Sequence, residues 1–344
     1  MCTSNDSSDD NQGDIHMQRF YQYLALLAAA SVLQIDLAQA CAESLYPTKP
    51  IRLVVGYPPG GATDGTARLV ATRLGAELGQ PVIVENKPGV GSTLATAAAA
   101  QAAADGYTLL MGSTTGMSIA PHLYRKLAYD PRRDFVPVAL VGQVPQVLVV
   151  NPASVPATNL RELIEWHRKT GGSLDYASFG NGSSAHLTME MLGKATALDL
   201  RHIPYKGSSA AITDVIGGQV PMAMDTLQSA QPHIRAGRLR AIAMSAKVRS
   251  SLAPDLPTFA ELGYPAMTLS PWYGVFAPAG TPDAIIDRLA VAIAGTMSAP
   301  DMLAQLAGLG TEPMVLSGAA ARAFLDKDAA RWAEAARISG ARLD

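Results

Sequence analysis

The chain has 344 residues, with 48% hydrophobic and 16% charged side chains and a formal net charge of −2. That composition fits a folded chain of one or two domains and argues against a general nucleic-acid or anionic-membrane surface. Cys2 and Cys41 are the only cysteines, so the chain beyond them has no disulfide or thiol chemistry; its length buries enough core to do without.

Residues 1–16 are polar and acidic and cannot pack a core. Met17-Gln-Arg-Phe20 then leads into an apolar run over residues 23–33 and a small-residue end, Ala38-Gln-Ala40. This reads as a secretory signal peptide starting at Met17, which implies export. Arg19 is its only cation, and the run is too short to span a bilayer. Cleavage after Ala40 would leave Cys41 first, but Ala38 stands where a lipoprotein signal carries Leu, which argues against a lipid anchor. A polar tail on a cytosolic protein is the alternative.

Ile51-Arg-Leu-Val-Val55 is short, β-branched and bounded by turn residues, which predicts a buried strand. The Gly- and Pro-rich stretch 56–62 forces a turn, and Thr63 or Asp64 is placed to cap the helix that follows. Such a turn aims bare backbone N–H groups at one point, which makes an anion site. It is not a P-loop, because Ala62 and Thr63 follow Gly61 where Lys is needed. It is not a dinucleotide turn either: Gly89-Val-Gly91 has Leu94 in place of the third glycine. Asp64 at the mouth would repel phosphate, so a carboxylate suits the site better. The alternative is an ordinary βα turn with no ligand.

A strand over 81–85, an Ala-rich helix over 92–104, a strand over 107–112 and a short helix toward 121–127 continue a βαβαβα pattern. That pattern predicts a parallel sheet covered by helices. Residues 138–150 read as one long extended crossing into a second lobe, where strands over 174–178, 201–205, 220–225 and 239–245 alternate with helices. Residues 267–276 read as a second crossing that returns the chain to the first lobe. Helices over 282–297 and 301–306, a short strand near 312–316 and an amphipathic outer helix over 319–338 complete it. The fold is α/β with two lobes joined by two crossings, and a ligand belongs beyond the strand ends, in a cleft that closes by hinge motion. The divisions are an extension and signal peptide over 1–41, the first lobe over 42–142, the second over 143–264, and the return to the first over 265–344.

In the second lobe Gly180-Asn-Gly-Ser-Ser184 sits between strand and helix and offers several donors. His186 and Glu190 share a helix face, but a zinc reading lacks a third ligand; His186 reads first as a helix-start residue near the cleft. Lys206 ends one strand and Asp225 another, while Ser113, Thr114 and Thr115 follow the third strand of the first lobe. There is no G-x-S-x-G elbow, no metal cluster and no evident triad among the six histidines. A binding protein is therefore favoured. The rivals are a hydrolase or lyase using Asp64, Asp225 or His186, and a sensor that presents its ligand to a membrane kinase.

An ordered set of motifs carries a resemblance. It includes Tyr46-Pro-x-Lys-Pro-Ile-Arg52, Pro58-Pro-Gly-Gly-Ala-Thr-Asp64, Val84-Glu-Asn-Lys-Pro-Gly89, Asp105-Gly-Tyr-Thr-Leu109, Tyr176-Ala-Ser-x-Gly-x-Gly-Ser183, Pro204-Tyr-Lys-Gly-Ser208 and Trp272-Tyr-Gly-Val275. From Tyr46 onward the chain resembles the tripartite tricarboxylate transporter receptors, the Bug family of extracytoplasmic solute-binding proteins. The resemblance implies a two-lobed Venus flytrap of the type II periplasmic-binding class, with no cofactor. It implies capture of a small carboxylate, or a related amide or aromatic acid, for delivery to a two-subunit membrane permease. A monomer is expected. In the family the carboxylate is held by backbone N–H groups and waters from two loops, which map here onto residues 60–64 and 180–184. The full set of expected ligand contacts is Tyr57, Gly60, Gly61, Ala62, Thr63, Asp64, Ser113, Thr114, Gly180, Asn181, Gly182, Ser183, Ser184, His186, Lys206 and Asp225. Two departures bear on this expectation. Gly65 and Thr66 replace hydrophobic residues, which would loosen the helix start, and Ser92 replaces a glycine, which would narrow one edge of the cleft.

Overall fold

The structure is a computed structural model that describes residues 46–343; the signal-peptide reading, with Met17, Ala38, Ala40 and Cys41, lies outside the described residues. Residues 46–48 belong to an amino-terminal unit of their own, and the fold below is that of residues 49–343.

In chain order the elements are β1 (Ile51–Val55), α1 (Ala62–Leu78), β2 (Val82–Asn86), α2 (Thr93–Ala100), β3 (Thr108–Ser113), α3 (Ala120–Leu123), β4 (Phe135–Gln143), β5 (Gln146–Val150), α4 (Leu160–Thr170), β6 (Leu174–Ser178), α5 (Ser184–Thr196), β7 (Leu200–Pro204), α6 (Ser208–Ile216), β8 (Met222–Thr226), α7 (Leu227–Arg235), β9 (Arg240–Met244), β10 (Trp272–Pro278), α8 (Asp283–Met297), α9 (Pro300–Gly308), β11 (Glu312–Leu316) and α10 (Gly318–Ser339). Each of the two lobes is built on one sheet. The first has the order β11-β4-β10-β3-β1-β2 and the second β7-β6-β8-β5-β9.

The expected parallel sheet is corrected to a mixed one. β1 runs parallel to β2 and β3, and β6 parallel to β7 and β8. The strand that each crossing delivers runs against both of its neighbours: β5 against β8 and β9, and β10 against β3 and β4. The stretch 138–150 is likewise not one crossing strand. It is the end of β4 and all of β5, which belong to different sheets and break at Val144-Pro145; proline has no N–H to offer a ladder. The two crossings run side by side, with the Val144 N–H donating to the Pro271 carbonyl at 2.7 Å.

α1 buries Ala67, Val70, Ala71, Leu74 and Leu78, the three- and four-residue spacing of one helix face. α10 reaches both lobes. Its Ala321 packs with Leu140, Trp272 and Phe276 of the first sheet. Trp332, Ala335 and Ala336 pack with Leu187 and Met191 of α5 and Met224 of β8 in the second lobe. The outer-helix expectation is corrected accordingly, since α10 straps the lobes together and Trp332 is fully buried.

Midway along the strap, the buried Asp328 accepts from Trp272 Nε1 at 2.6 Å, Ser118 Oγ at 2.8 Å and Trp332 Nε1 at 3.2 Å. Burial pushes this carboxyl up to about 6, although three donors pull it down. Its folded pKa therefore lies above the unfolded one. The stability it contributes is complete below about pH 4 and is lost as the pH rises through about 6. Asp328→Asn removes that titration. Relative to the parent, the variant should gain roughly 2–3 kcal/mol between pH 4 and pH 8, read from urea denaturation at the two pH values; a difference that stays constant across the range would refute it.

Candidate functional site

β1 delivers the chain into a turn that only small residues permit. A Cβ on Gly56 would lie 2.0 Å from Ser92 Oγ, and Gly60 has φ +84°. α1 then starts at Ala62 with Gly61 as its N-cap, so no side chain caps it. The capping role expected of Thr63 or Asp64 is thereby corrected, because both already lie in the first turn. The first N–H bonded back into the turn is that of Gly65, to the Gly61 carbonyl at 2.9 Å. The N–H groups of Ala62, Thr63 and Asp64 precede it and have no intrahelical acceptor.

Asp64 is not at the mouth of this turn. Its carboxylate folds behind it, accepting from Gly60 N at 2.9 Å, Arg68 Nε at 2.9 Å and Asn86 Nδ2 at 2.8 Å. Asn86 also donates to the Tyr57 carbonyl at 3.0 Å, tying the turn to β2. Burial alone would raise the Asp64 pKa, but the bonds from Arg68, Gly60 and Asn86 outweigh it and hold the carboxyl below its ordinary range.

The turn opens on a cavity of about 630 Å³ between the lobes. The first lobe supplies Tyr57, Pro58, Pro59, Gly60, Gly61, Ala62, Thr63, Ser113, Thr114 and Thr115, with Trp272 and Tyr273 from β10. The second supplies Phe179, Ser184, Lys206, Gly207, Ser208, Ser209, Thr226, Gln228 and His233, among others. Nine expected residues are therefore brought together: Tyr57, Gly60, Gly61, Ala62, Thr63, Ser113, Thr114, Ser184 and Lys206. Asp64, Gly180, Asn181, Gly182, Ser183, His186 and Asp225 are not in the wall.

The loop before α5 is occupied with bracing itself. A Cβ on Gly182 would lie 2.4 Å from Leu343 Cδ1 and 2.7 Å from Leu123 Cδ1, so the loop lies flat against both. Ser183 Oγ caps α5 by accepting from His186 N at 3.3 Å, and His186 Nδ1 accepts from Gly182 N at 3.1 Å. The His186 ring stacks on His202 at 3.9 Å, and Tyr176 stacks on the far face of the pair at 5.0 Å from His202. Burial lowers both histidines, to about 4 for His186 and about 3 for His202, so both are neutral at physiological pH. From this loop Ser184 reaches the cavity, with its Oγ accepting from Gln146 Nε2 at 2.9 Å.

The open helix end of the second lobe is instead that of α6. Its N-cap is Gly207, which again has no side chain to cap with, and Gly207, Ser208 and Ser209 line the cavity. Sequence reading missed these three residues, and also Gln228, His233, Trp272 and Tyr273. The signal for the first three was present: Lys206-Gly-Ser-Ser209 stands between strand and helix, as Gly60-Gly-Ala-Thr63 does.

Asp225 is fully buried just behind this wall. Its Oδ1 accepts from Ser208 Oγ and Thr226 N, both at 2.7 Å, while Oδ2 has no partner. Burial pushes the carboxyl up to about 6. Asp64, Asp225 and His186 are thus committed to three separate sets of partners and form no common reactive centre. Among the described residues no three of His, Cys, Asp and Glu group to hold a metal. The two expected departures are also resolved. Ser92 Oγ is buried beneath the turn, outside the cavity wall, and α1 runs unbroken from Ala62 with Thr66 Oγ1 3.3 Å from Thr311 Oγ1.

Asp64→Ala removes the acceptor from three donors at once. It should lower stability by roughly 1–3 kcal/mol, measured by chemical denaturation at pH 7; unchanged stability would show that the turn holds its shape without the clamp.

Residues 66–339 match the family described as Tripartite tricarboxylate transporter family receptor. The chain is 38% identical to protein BugT of Bordetella pertussis over 330 residues, which are 96% of this chain and 100% of that one. Among solved structures it is similar to R. palustris Rpa4515 with adipate, at 34% identity and a TM-score of 0.81 over 87% of this chain and 100% of that one. It is also similar to the periplasmic binding protein BugD, at 34% identity and a TM-score of 0.78 over 86% and 99%. The matching family is described as a receptor, and BugD as a periplasmic binding protein. With a sequence match that runs through both lobes and the same two-lobed fold, the chain belongs to the tripartite tricarboxylate transporter receptors, the Bug family of solute-binding proteins.

Proposed function

We propose that this protein is exported to the periplasm, where as a monomer it captures a small carboxylate in the cleft and delivers it to a two-subunit membrane permease. The observation that carries the reading is the glycine-capped start of α1 at the cavity wall. Three consecutive N–H groups precede the first intrahelical bond there, and no side chain competes for them. A carboxylate bound there takes two or three of these donors and meets the positive end of the helix dipole. The hydroxyls of Thr63, Ser113 and Thr114 lie on the same side of the cavity and suit the outer lone pairs of that carboxylate.

Phe179, Trp272 and Tyr273 give the cavity apolar walls for the body of the solute. Lys206 sits at the second-lobe side as a cation on a flexible stem. The adipate carried by one structural relative supports a small organic acid as the class of ligand. The leader supports export, and the two crossings support closure of one lobe on the other about residues 143–146 and 245–271, with lobes over 42–142 plus 265–344 and over 143–264.

The test is a thermal-shift screen of the purified protein, unfolded and refolded first to remove any solute carried through purification. The panel holds carboxylates, aromatic acids, amides, phosphates and sugars. At a hundred times its dissociation constant a true ligand adds about 2.7 kcal/mol of stability. A shift with carboxylates is expected; a shift confined to phosphates or sugars would overturn the assignment.

A further inference from the structure

A second cavity, of about 670 Å³, lies in the first lobe and shares no residue with the cleft. One wall is α10, the other is α3 with the loop that follows it, and the floor is formed by β4, β10 and a turn of π-helix over Thr115–Ile119. That turn divides the two cavities, since Thr115 lines the cleft while Met117 and Ser118 line the second cavity. The floor is made of core residues. Met117, Tyr129, Phe135 and Phe276 are buried in the packing of the first lobe. Tyr129 and Phe135 meet edge to face at 6.5 Å, and Phe135 and Phe276 at 6.4 Å. The hydroxyls of the floor are spent: that of Tyr129 donates to the Gly116 carbonyl at 2.6 Å, and that of Ser118 to Asp328. On α10 the facing positions include Ala329, Ala330 and Ala333, which leave open the space that larger side chains would fill.

The rim is charged. Arg125, Arg132 and Arg322 stand there with Asp130 and Asp326. Both acids are committed within the protein. Asp130 Oδ1 accepts from Arg132 N at 2.9 Å and Arg133 N at 3.3 Å, and Asp326 Oδ1 accepts from Arg132 Nη2 at 2.8 Å. Arg322 has no ion pair among the described residues, so one guanidinium is left over above an apolar floor. The Arg132–Asp326 pair also joins the loop to α10 and bounds the opening. What remains is a compact pocket in the size range of small-molecule sites, not a groove for an extended peptide. We propose that this cavity is a second binding site, for an aromatic monocarboxylate. Its ring packs on Met117, Phe135 and Phe276, continuing the edge-to-face series of the floor. Its carboxylate meets Arg322, whose planar fork takes both oxygens. This site stands apart from the carboxylate reading of the cleft.

The experiment titrates the purified protein with 1-naphthoate and with naphthalene-1-methanol, its neutral counterpart. Affinity is read by calorimetry and location by the NMR resonances of the His122 ring, which lines the same cavity. The acid should bind at least about tenfold tighter than the alcohol, as one charge-assisted bond implies, and should shift the His122 resonances. Arg322→Gln should bring the acid down to the affinity of the alcohol. Ala330→Trp, at an exposed position of α10, fills this cavity, leaves the cleft wall intact and should abolish binding of both probes. Binding of 1-naphthoate that Ala330→Trp leaves unchanged, or that leaves His122 unmoved, would put the acid elsewhere and overturn the proposal. Equal affinity for acid and alcohol in the parent protein would take charge out of recognition and overturn it too, as would binding of neither. None of these results touches the carboxylate site at the α1 turn. Should a variant not fold, the acid-to-alcohol ratio and the His122 response of the parent protein decide alone.

Discussion

Backbone N–H groups at a helix start stay open only if the chain's own anions are kept away from them, and the shape of the cleft depends on how this chain does so at α1. Asp64 lies in the first turn of α1, close enough to compete for the donors that should stay open. Three donors from three segments, Gly60 N–H, Arg68 and Asn86, turn its carboxylate to the back of the helix start. There it still faces the positive end of the helix dipole and stabilises it. The same bonds fix the turn, since Gly60 is its apex and Asn86 also holds the Tyr57 carbonyl. An acid that reads in the sequence as an obstacle to anion binding is what holds this turn in shape.

Two other buried carboxylates, Asp328 and Asp225, lie outside the cavity wall, and neither has a cationic partner among its hydrogen bonds. Asp328 is fully served by two indoles and a hydroxyl, and one of those indoles belongs to Trp272 in the cavity wall. The Trp272 backbone N–H is held as well, by Thr114 Oγ1 at 2.8 Å. That aromatic surface is thus fixed from both ends. Asp225 is served on one oxygen only. A closed hydrogen-bond set rigidifies its surroundings. The first closes its own set within the scaffold, and the second leaves one buried oxygen unpaired.

The strand–turn–helix at residues 51–64 was legible because a β-branched run, a Gly/Pro turn and a helical pattern follow each other with no gap. The alternation of elements in both lobes was legible for the same reason. Strand direction was not: β5 and β10 run antiparallel because of where the crossings deliver them, which local pattern does not encode. The loop 180–184 and the loop 207–209 looked alike in sequence, both glycine and serine between strand and helix. What separates them is tertiary. Leu123 and Leu343 press on Gly182, and the Ser183 hydroxyl and the His186 ring are spent on the loop itself. At Gly207 nothing lies within 4 Å of where a Cβ would be. Gln228 and His233 carried no local signal at all, since a glutamine and a histidine on a helix become wall residues only once that helix is docked against the cleft.

The two crossings are not the whole connection between the lobes. Gly310, at φ +65°, lies so close to the start of α7 that a Cβ there would sit 2.6 Å from the Gln228 Cα. This is a contact of first-lobe backbone with second-lobe backbone, and only glycine allows it. It falls beside the hinge: Glu312 pairs with Gln143 at the end of β4, and the Leu227 N–H bonds the Pro145 carbonyl at 2.8 Å. Farther along, α10 buries one end in each lobe. Bonds between rigid backbones do not stretch by ångströms without breaking, whereas the cavity side is lined by side chains and loop tips. Any opening of the cleft must therefore pivot about the edge where β4, β11 and the start of α7 meet. That places Gln228 near the axis, and with it the start of α1, whose Thr66 Oγ1 lies 3.3 Å from Thr311 Oγ1.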